Sequence, residues 1–93
     1  MVTGIILVQV ERTKVPDVAQ EFLGLPGVSE VYSVAGRYDL VAIARVARAE
    51  DLAEMVTGRM GQIGGIVRSE TLVAFQAFSN YDLERLFAIG LDG

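Results

Sequence analysis

The sequence contains no cysteine and no histidine, and these two absences remove much of the usual chemistry of a small protein. Without cysteine the chain has no disulfide, no thiolate nucleophile and no sulfur ligand for a metal. Without histidine it also lacks the commonest general base and metal ligand. Tryptophan is absent as well. The composition therefore predicts no metal, no haem and no other cofactor, and it offers little for catalysis.

Positive charge is also scarce, because eight Lys and Arg residues face twelve Asp and Glu residues and give a net charge of −4. Proteins bind duplex nucleic acid largely through basic residues that neutralise phosphates, so we expect no direct nucleic-acid partner. No apolar stretch reaches the ~18 residues that a membrane span needs, and residues 1–5 lack the basic region of a secretion signal. The sequence thus favours a cytoplasmic protein without a membrane partner.

Hydrophobic residues, in contrast, are abundant and make up 52% of the 93 residues. Ordinary soluble domains contain roughly 45–50% apolar residues. A chain of this length forms one domain with one modest core, so the excess has little room inside a single subunit. We therefore expect a second copy of the chain to bury part of this apolar surface.

Hydrophobic spacing and turn residues divide the chain into six elements in the order βαββαβ. The predicted elements are a strand over residues 3–10, a helix over 15–23, strands over 28–35 and 38–46, a helix over 49–63 and a strand over 66–78. Residues 1–78 are thus predicted to form one α+β domain. Residues 79–93 are predicted to form a C-terminal helical extension, since an apparent capping box precedes a helical apolar pattern.

The order βαββαβ is that of the ferredoxin-like fold, a four-stranded antiparallel sheet with both helices on one face. Right-handed crossovers place the first and third strands at the centre. The helices cover only one face, yet the first strand is apolar on both. We expect a second subunit to pack sheet to sheet against the other face and bury Ile5, Leu7, Val41 and Ile43, or their opposite-face neighbours.

The junction of the second and third strands at Gly36 and Arg37 marks a candidate ligand site. Gly36 can adopt the positive φ that a two-residue type II′ turn needs at its first central position. Tyr38 and Asp39 follow directly and set a phenol and a carboxylate beside turn amides at the rim of the sheet. Structural roles compete, because Gly36 serves the turn itself, Tyr38 suits cross-strand packing and Asp39 can cap hairpin amides.

Residues 31–41, VYSVAGRYDLV, resemble the "vtG-x-yDl" signature of the RAM domain, the effector-binding domain of Lrp/AsnC feast/famine transcription regulators. Two further stretches agree in register. Residues 23–31, LGLPGVSEV, resemble the family's link into the second strand, and residues 65–71, GIVRSET, resemble its fourth strand. The resemblance extends over about residues 3–78.

The resemblance implies a stand-alone effector-sensing domain, because no helix-turn-helix precedes the first strand in this sequence. It implies dimers packed sheet to sheet, which assemble further into an octameric ring or another higher assembly. A small amino acid or related metabolite would bind at a subunit boundary and regulate amino-acid metabolism or transcription through partners, such as a full-length Lrp/AsnC regulator. The implied ligand-binding residues are Gly36, Arg37, Tyr38, Asp39, Ser69 and Thr71.

The chemistry of these side chains suits a zwitterion, since Arg37 and the hydroxyls can meet a carboxylate while Asp39 meets an ammonium group. Arg37 departs from the small or acidic residue often found there in the family. Simpler explanations remain, because Arg37 and Arg68 can be solvated surface charges, and Ser69 and Thr71 ordinary strand residues. Two other functions stay open, a small dimeric α+β barrel enzyme acting as a monooxygenase or isomerase, and a ligand-free assembly partner of a full-length regulator.

Overall fold

The computed structural model describes residues 1–80 and confirms the predicted order of strands and helices. The strands are β1 (Val2–Val10), β2 (Val28–Ser33), β3 (Leu40–Val46) and β4 (Ile66–Ala74), and the helices are α1 (Val15–Leu23) and α2 (Ala49–Glu54). A 3-10 turn, Arg12–Lys14, precedes α1. The predicted extension of residues 79–93 lies outside the described residues apart from its first two positions.

The four strands form one antiparallel sheet in the order β2-β3-β1-β4. Strands β1 and β3 occupy the centre, as right-handed crossovers predict. Both helices pack on one side of the sheet, which we call the helix face, and we call the other side the open face. Side chains of β1 alternate between them, since Ile6 and Val8 are fully buried on the helix face. Ile5 and Leu7 are only partly buried on the open face.

The core lies between the helix face and the two helices, where apolar side chains of all these elements meet. Its buried members are Ile6, Val8, Val10, Val18, Phe22, Leu40, Ala42, Ala44, Leu52, Met55, Met60 and Ile63. Gly4 allows α2 to approach β1 closely, because a Cβ at this position would lie 2.7 Å from Leu52 Cδ1. Met55 and Met60 are both buried in this core, so their role is structural.

The predicted two-residue hairpin turn is wrong. Strand β2 ends at Ser33 and β3 begins only at Leu40, and the Val34 amide donates to the Asp39 carbonyl at 3.0 Å. Four residues, 35–38, therefore lie between the hydrogen-bonded residues that close the loop. Gly36 does adopt a positive φ, +132°, and no neighbouring atom of the described residues lies within 4 Å of a Cβ built there. Its backbone conformation, rather than crowding, accounts for glycine at this position.

The last strand is also shorter than predicted, because it ends at Ala74 instead of residue 78. Ala74 pairs with Thr3, and only Val2 of β1 remains beyond that pair. Beyond Ala74, strand β4 therefore has almost no β1 backbone left with which to pair. Phe75, which the sequence pattern placed in the strand, is 99% exposed. No helix among residues 1–80 is long and apolar enough to cross a membrane.

The second predicted helix, residues 49–63, is α-helical only as far as Glu54. A π-helical turn, Met55–Arg59, and a 3-10 turn, Met60–Gln62, continue it. On an uninterrupted α-helix Arg59 would lie four residues after the buried Met55, on the same face and directed at the core. Instead the Met60 amide donates to the Met55 carbonyl, five residues back. The extra residue keeps Arg59 exposed and buries Met60.

Candidate ligand-binding site at the hairpin end of the sheet

The loop of residues 34–39 contacts the end of β1 and the first half of β4, and we call this region the hairpin end. The Asp39 amide donates to the Val8 carbonyl at 2.9 Å. The Asp39 carboxylate accepts a 2.8 Å hydrogen bond from the Val10 amide. These two bonds fix the β3 side of the loop to β1 and determine where the neighbouring side chains lie.

Asp39 has a structural partner that the sequence did not reveal. The last β1–β3 pair is Val8 with Leu40, so Val10 extends beyond the end of β3. The β1–β4 register also shifts between Gln9 and Val10. The carboxylate Oδ2 therefore accepts from a backbone amide that no β3 carbonyl reaches. Asp39 does cap a backbone amide, but the amide belongs to β1 rather than to the hairpin.

A polar cluster occupies the open-face side of the hairpin end. Glu70 pairs with Leu7 in the sheet and so lies on the open face. The Tyr38 hydroxyl donates to Glu70 Oε2 at 2.8 Å, which joins the hairpin to β4 across β1. Arg37 and Arg68 lie near enough to stabilise the tyrosinate electrostatically. Among residues 1–80 neither guanidinium lies within 4.0 Å of a carboxylate. We call these four residues the Tyr38–Glu70 cluster.

The hydrogen bond to Glu70 raises the pKa of Tyr38 above its ordinary value of 10.0, with smaller contributions from desolvation and the Glu70 charge. Arg68 and Arg37 oppose this rise. Since the pKa is raised in the folded protein, the bond contributes at neutral pH and is lost as pH rises through the folded pKa. We expect Glu70→Ala, which removes the acceptor and its charge, to lower the pKa of Tyr38 in an ultraviolet titration of tyrosinate.

The chain contains three tyrosines, so the ultraviolet signal of Tyr38 is identified by comparing each protein with a version that also carries Tyr38→Phe. Tyr32 provides the matched control, because its pKa is raised chiefly by a hydrogen bond to Glu30 in the same way. Glu30→Ala should therefore lower the pKa of Tyr32 and leave that of Tyr38 in place. An unchanged Tyr38 pKa in Glu70→Ala would contradict the bond.

The structure does not bring all six predicted site residues together. Ser69 pairs with Val8 and Thr71 with Ile6, and both partners are buried on the helix face. Ser69 and Thr71 thus share the helix face of β4, whereas Tyr38 and Glu70 meet on the open face. Ser69 lines a separate recess between β4 and the chain that follows α2. Within one subunit the sheet separates Ser69 and Thr71 from Tyr38 and Glu70.

Glu70 is the functional candidate that the sequence interpretation missed. The strand alternation did place Ser69 and Thr71 on one face, which leaves Glu70 on the other. Its partner, however, follows from the β1–β4 register, and no short motif reports that register. Among residues 1–80 there is no group of three or more Asp or Glu residues arranged to hold a metal ion.

Comparison with known proteins places this geometry in context. The sequence profile of the Lrp/AsnC ligand binding domain matches residues 3–83. An uncharacterised HTH-type transcriptional regulator of Pyrococcus horikoshii is 36% identical over 59 residues, which are 63% of this chain and 39% of that protein. An HTH-type transcriptional regulator of Pyrococcus furiosus is 28% identical over 75 residues, 81% of this chain and 49% of that protein. The chain thus spans less than half the length of either regulator.

Solved structures agree with this match. The Thermus thermophilus protein TTHA0845 superposes with a TM-score of 0.80 at 39% identity, over 86% of this chain and 100% of that one. Escherichia coli AsnC gives 0.79 at 19% identity, over 89% of this chain and 56% of that one. A feast or famine regulatory protein of Mycobacterium tuberculosis, complexed with L-methionine, gives 0.71 at 19% identity, over 88% and 56%. At 19% identity the last two show a shared fold.

Proposed function

This chain belongs to the Lrp/AsnC ligand-binding domain family, and from that membership we propose that it senses a small amino acid or a related metabolite. In this proposal ligand binding at the hairpin end regulates amino-acid metabolism or transcription through a partner protein. In this proposal the domain binds its effector without catalysing a reaction. The proposal assigns it to the cytoplasm, where its regulator partner acts.

The observation that carries the proposal is the Tyr38–Glu70 cluster. Arg37 and Arg68 offer two guanidinium groups that no carboxylate within residues 1–80 pairs, and these groups can bind an effector carboxylate. The Glu70 carboxylate, held by Tyr38, can accept from an effector ammonium group. Gly36 leaves open space at the loop. The methionine complex of the Mycobacterium tuberculosis protein supports an amino acid as the class of ligand.

Asp39, Ser69 and Thr71 have different places in the proposal. One oxygen of Asp39 already accepts from the Val10 amide, so a ligand would share this carboxylate with that amide. Ser69 and Thr71 lie on the helix face of β4, and they contact the same ligand only where the ligand passes around the edge of the sheet or a second subunit completes the site. This arrangement supports a site at a subunit boundary.

The open face supports the oligomer that such a boundary needs. Ile5, Leu7, Val41 and Ile43 form its apolar centre and are only partly covered within one subunit. Leu72, opposite Ile5 on the edge strand β4, is 45% exposed. Contiguous apolar surface of this kind marks an interaction site in a soluble protein. We propose that two subunits pack with their open faces together, and that dimers associate further into a ring or another higher assembly.

The match to the full length of the solved Thermus thermophilus chain supports the proposal that a domain of this extent folds as a unit. The similarity to helix-turn-helix regulators supports a full-length Lrp/AsnC regulator as the partner that receives the signal. A regulator of this class should co-purify with the protein when both are present in one extract.

A thermal-shift screen with single amino acids tests the ligand. We expect one amino acid, or a few related ones, to stabilise the purified protein, because a ligand at 100 times its dissociation constant adds about 2.7 kcal/mol to the free energy of unfolding. For a domain of this size that gain corresponds to a rise in Tm of about 10 °C or more. The double variant Arg37→Gln/Arg68→Gln should lose most of this shift.

The matched control is Arg48→Gln, which removes an exposed arginine whose only ion pair within residues 1–80 is with Glu50, at 3.9 Å. This variant should keep the full shift. Failure of every amino acid to stabilise the wild-type protein would reject effector binding, and it would favour a ligand-free partner that changes the assembly of a regulator.

A further inference from the structure

A second cleft lies at the end of the sheet opposite the hairpin. It opens between the loop before β2, the end of β3 and the chain from α2 through the π turn, and its volume is about 310 Å³. Pro26, Val46 and Met55 give it an apolar wall, and Asp51, Glu54 and Arg59 add charged groups. This volume lies at the lower end of the range of small-molecule sites in proteins.

Charges of both signs line the cleft without pairing each other. Among the described residues, neither the Arg59 guanidinium nor the Glu54 carboxylate has an oppositely charged group within 4.0 Å. Arg45 also lines the cleft, but its guanidinium donates to Ser29 Oγ at 2.7 Å and lies 3.7 Å from Glu30. Among residues 1–80, Arg59 and Glu54 are therefore a cation and a carboxylate of the cleft lining that can each form an ion pair with a ligand.

The π turn explains how an arginine comes to lie here. An α-helical continuation would direct Arg59 at the core, one turn after Met55, whereas the inserted residue turns it to the cleft rim. Met55, at the start of the same turn, forms part of the apolar wall. Single π turns inside helices occur frequently at functional sites. Here the irregular turn places a cation and an apolar side chain on one cleft.

We propose that this cleft is a second binding site, which takes a small zwitterion of the α-amino acid class with an apolar side chain. Arg59 binds the carboxylate, Glu54 accepts from the ammonium group with Asp51 nearby, and the side chain packs on Met55 and Val46. A simple anion fits less well, because the two carboxylates repel it, and a simple cation is repelled by Arg59. The proposal is independent of the hairpin end and of the function assigned to it.

Amide chemical shifts of the assembled wild-type protein provide the test. Single amino acids are titrated to about 10 mM, which saturates even a millimolar site. We expect an apolar amino acid to produce saturable shifts at Gly27, Ala47, Met55 and Arg59. Arg59→Gln should weaken this binding by about tenfold or more, because it removes a charge-assisted hydrogen bond. Glu54→Gln should also weaken the binding of the amino acid.

The control Arg48→Gln removes the same charge at the start of α2, outside the cleft lining, and should bind as the wild-type protein does. The double variant Arg37→Gln/Arg68→Gln separates the two sites, since it should lose shifts at Gly36 and Tyr38 and keep those at the cleft. The proposal is overturned if no amino acid shifts the cleft amides, or if Arg59→Gln and Glu54→Gln both bind with wild-type affinity.

Discussion

Replacing Leu72 by aspartate is expected to dissociate the protein into monomers, whereas the same replacement at Leu23 is expected to leave its assembly intact. Both leucines are almost equally exposed within one subunit, 45% for Leu72 and 46% for Leu23. They differ in where they lie, because Leu72 belongs to the open face and Leu23 ends helix α1 on the other side of the sheet. Any difference in assembly therefore reports which side is the interface.

The expected effect of Leu72→Asp is large for two reasons. Each subunit loses the burial of the 45% of Leu72 that is still exposed, which is worth about half of the roughly 1.5–3 kcal/mol for a whole leucine side chain. Each also places an unpaired carboxylate in an apolar interface. The two-fold symmetry of a dimer doubles both costs. Together they predict that the dissociation constant rises by roughly 100-fold or more.

Light scattering coupled to size exclusion, with the proteins at micromolar concentration, measures this outcome. The wild-type protein and Leu23→Asp should elute as dimers or larger assemblies, and Leu72→Asp should appear near the subunit mass of 10.0 kDa. A wild-type protein that elutes as a monomer would rule out the sheet-to-sheet interface. If both variants assemble like the wild-type protein, the interface does not lie on the open face.

Asp39→Ala is expected to lower the free energy of unfolding by about 1.5–3 kcal/mol, the usual contribution of a hydrogen bond to a charged group. The Val10 amide loses its acceptor in this variant, and only 5% of the surface of Val10 is exposed. Urea denaturation should show a lower midpoint with an unchanged slope. The cost arises at the end of β1 and does not depend on any ligand.

Asp39→Asn serves as the matched variant, because its side-chain carbonyl can still accept from the Val10 amide while the negative charge is removed. It should retain more stability than Asp39→Ala. Calorimetry on this folded variant then measures the role of the charge in ligand binding. If the carboxylate contacts an effector ammonium group, loss of the charge should weaken binding by about 1–3 kcal/mol. Equal stability of the alanine and wild-type proteins would show that the 2.8 Å bond contributes nothing.

The sequence predicts the fold well because its strongest signals are periodic and local. An apolar pattern on both faces of β1 indicates a central strand covered on two sides, and the sheet order confirms that position. The turn residues near Gly24 and Gly64 likewise mark where the helical segments end. Strand ends are harder to predict, since β4 stops where β1 offers no further partner, and that limit lies elsewhere in the chain.

The candidate site could be predicted only in part for a related reason. Its contacts join residues far apart in the sequence, such as Asp39 with Val10 and Tyr38 with Glu70. These contacts depend on the register between strands and on a bulge, which no single segment encodes. The π turn was hidden because the apolar spacing from Leu52 to Ile63 looks helical, although Arg59 falls inside that stripe. A charged residue in the middle of an apolar face was the available signal.

The division of the hairpin-end residues between the two faces of the sheet has a thermodynamic consequence. If Ser69 and Thr71 of one subunit join the Tyr38–Glu70 cluster of another around a single effector, then effector binding and subunit association are coupled equilibria. By linkage, the effector tightens association by the same factor by which association tightens the effector. Measured affinity would then vary with protein concentration, and the cellular abundance of the chain itself would adjust how sensitively it responds.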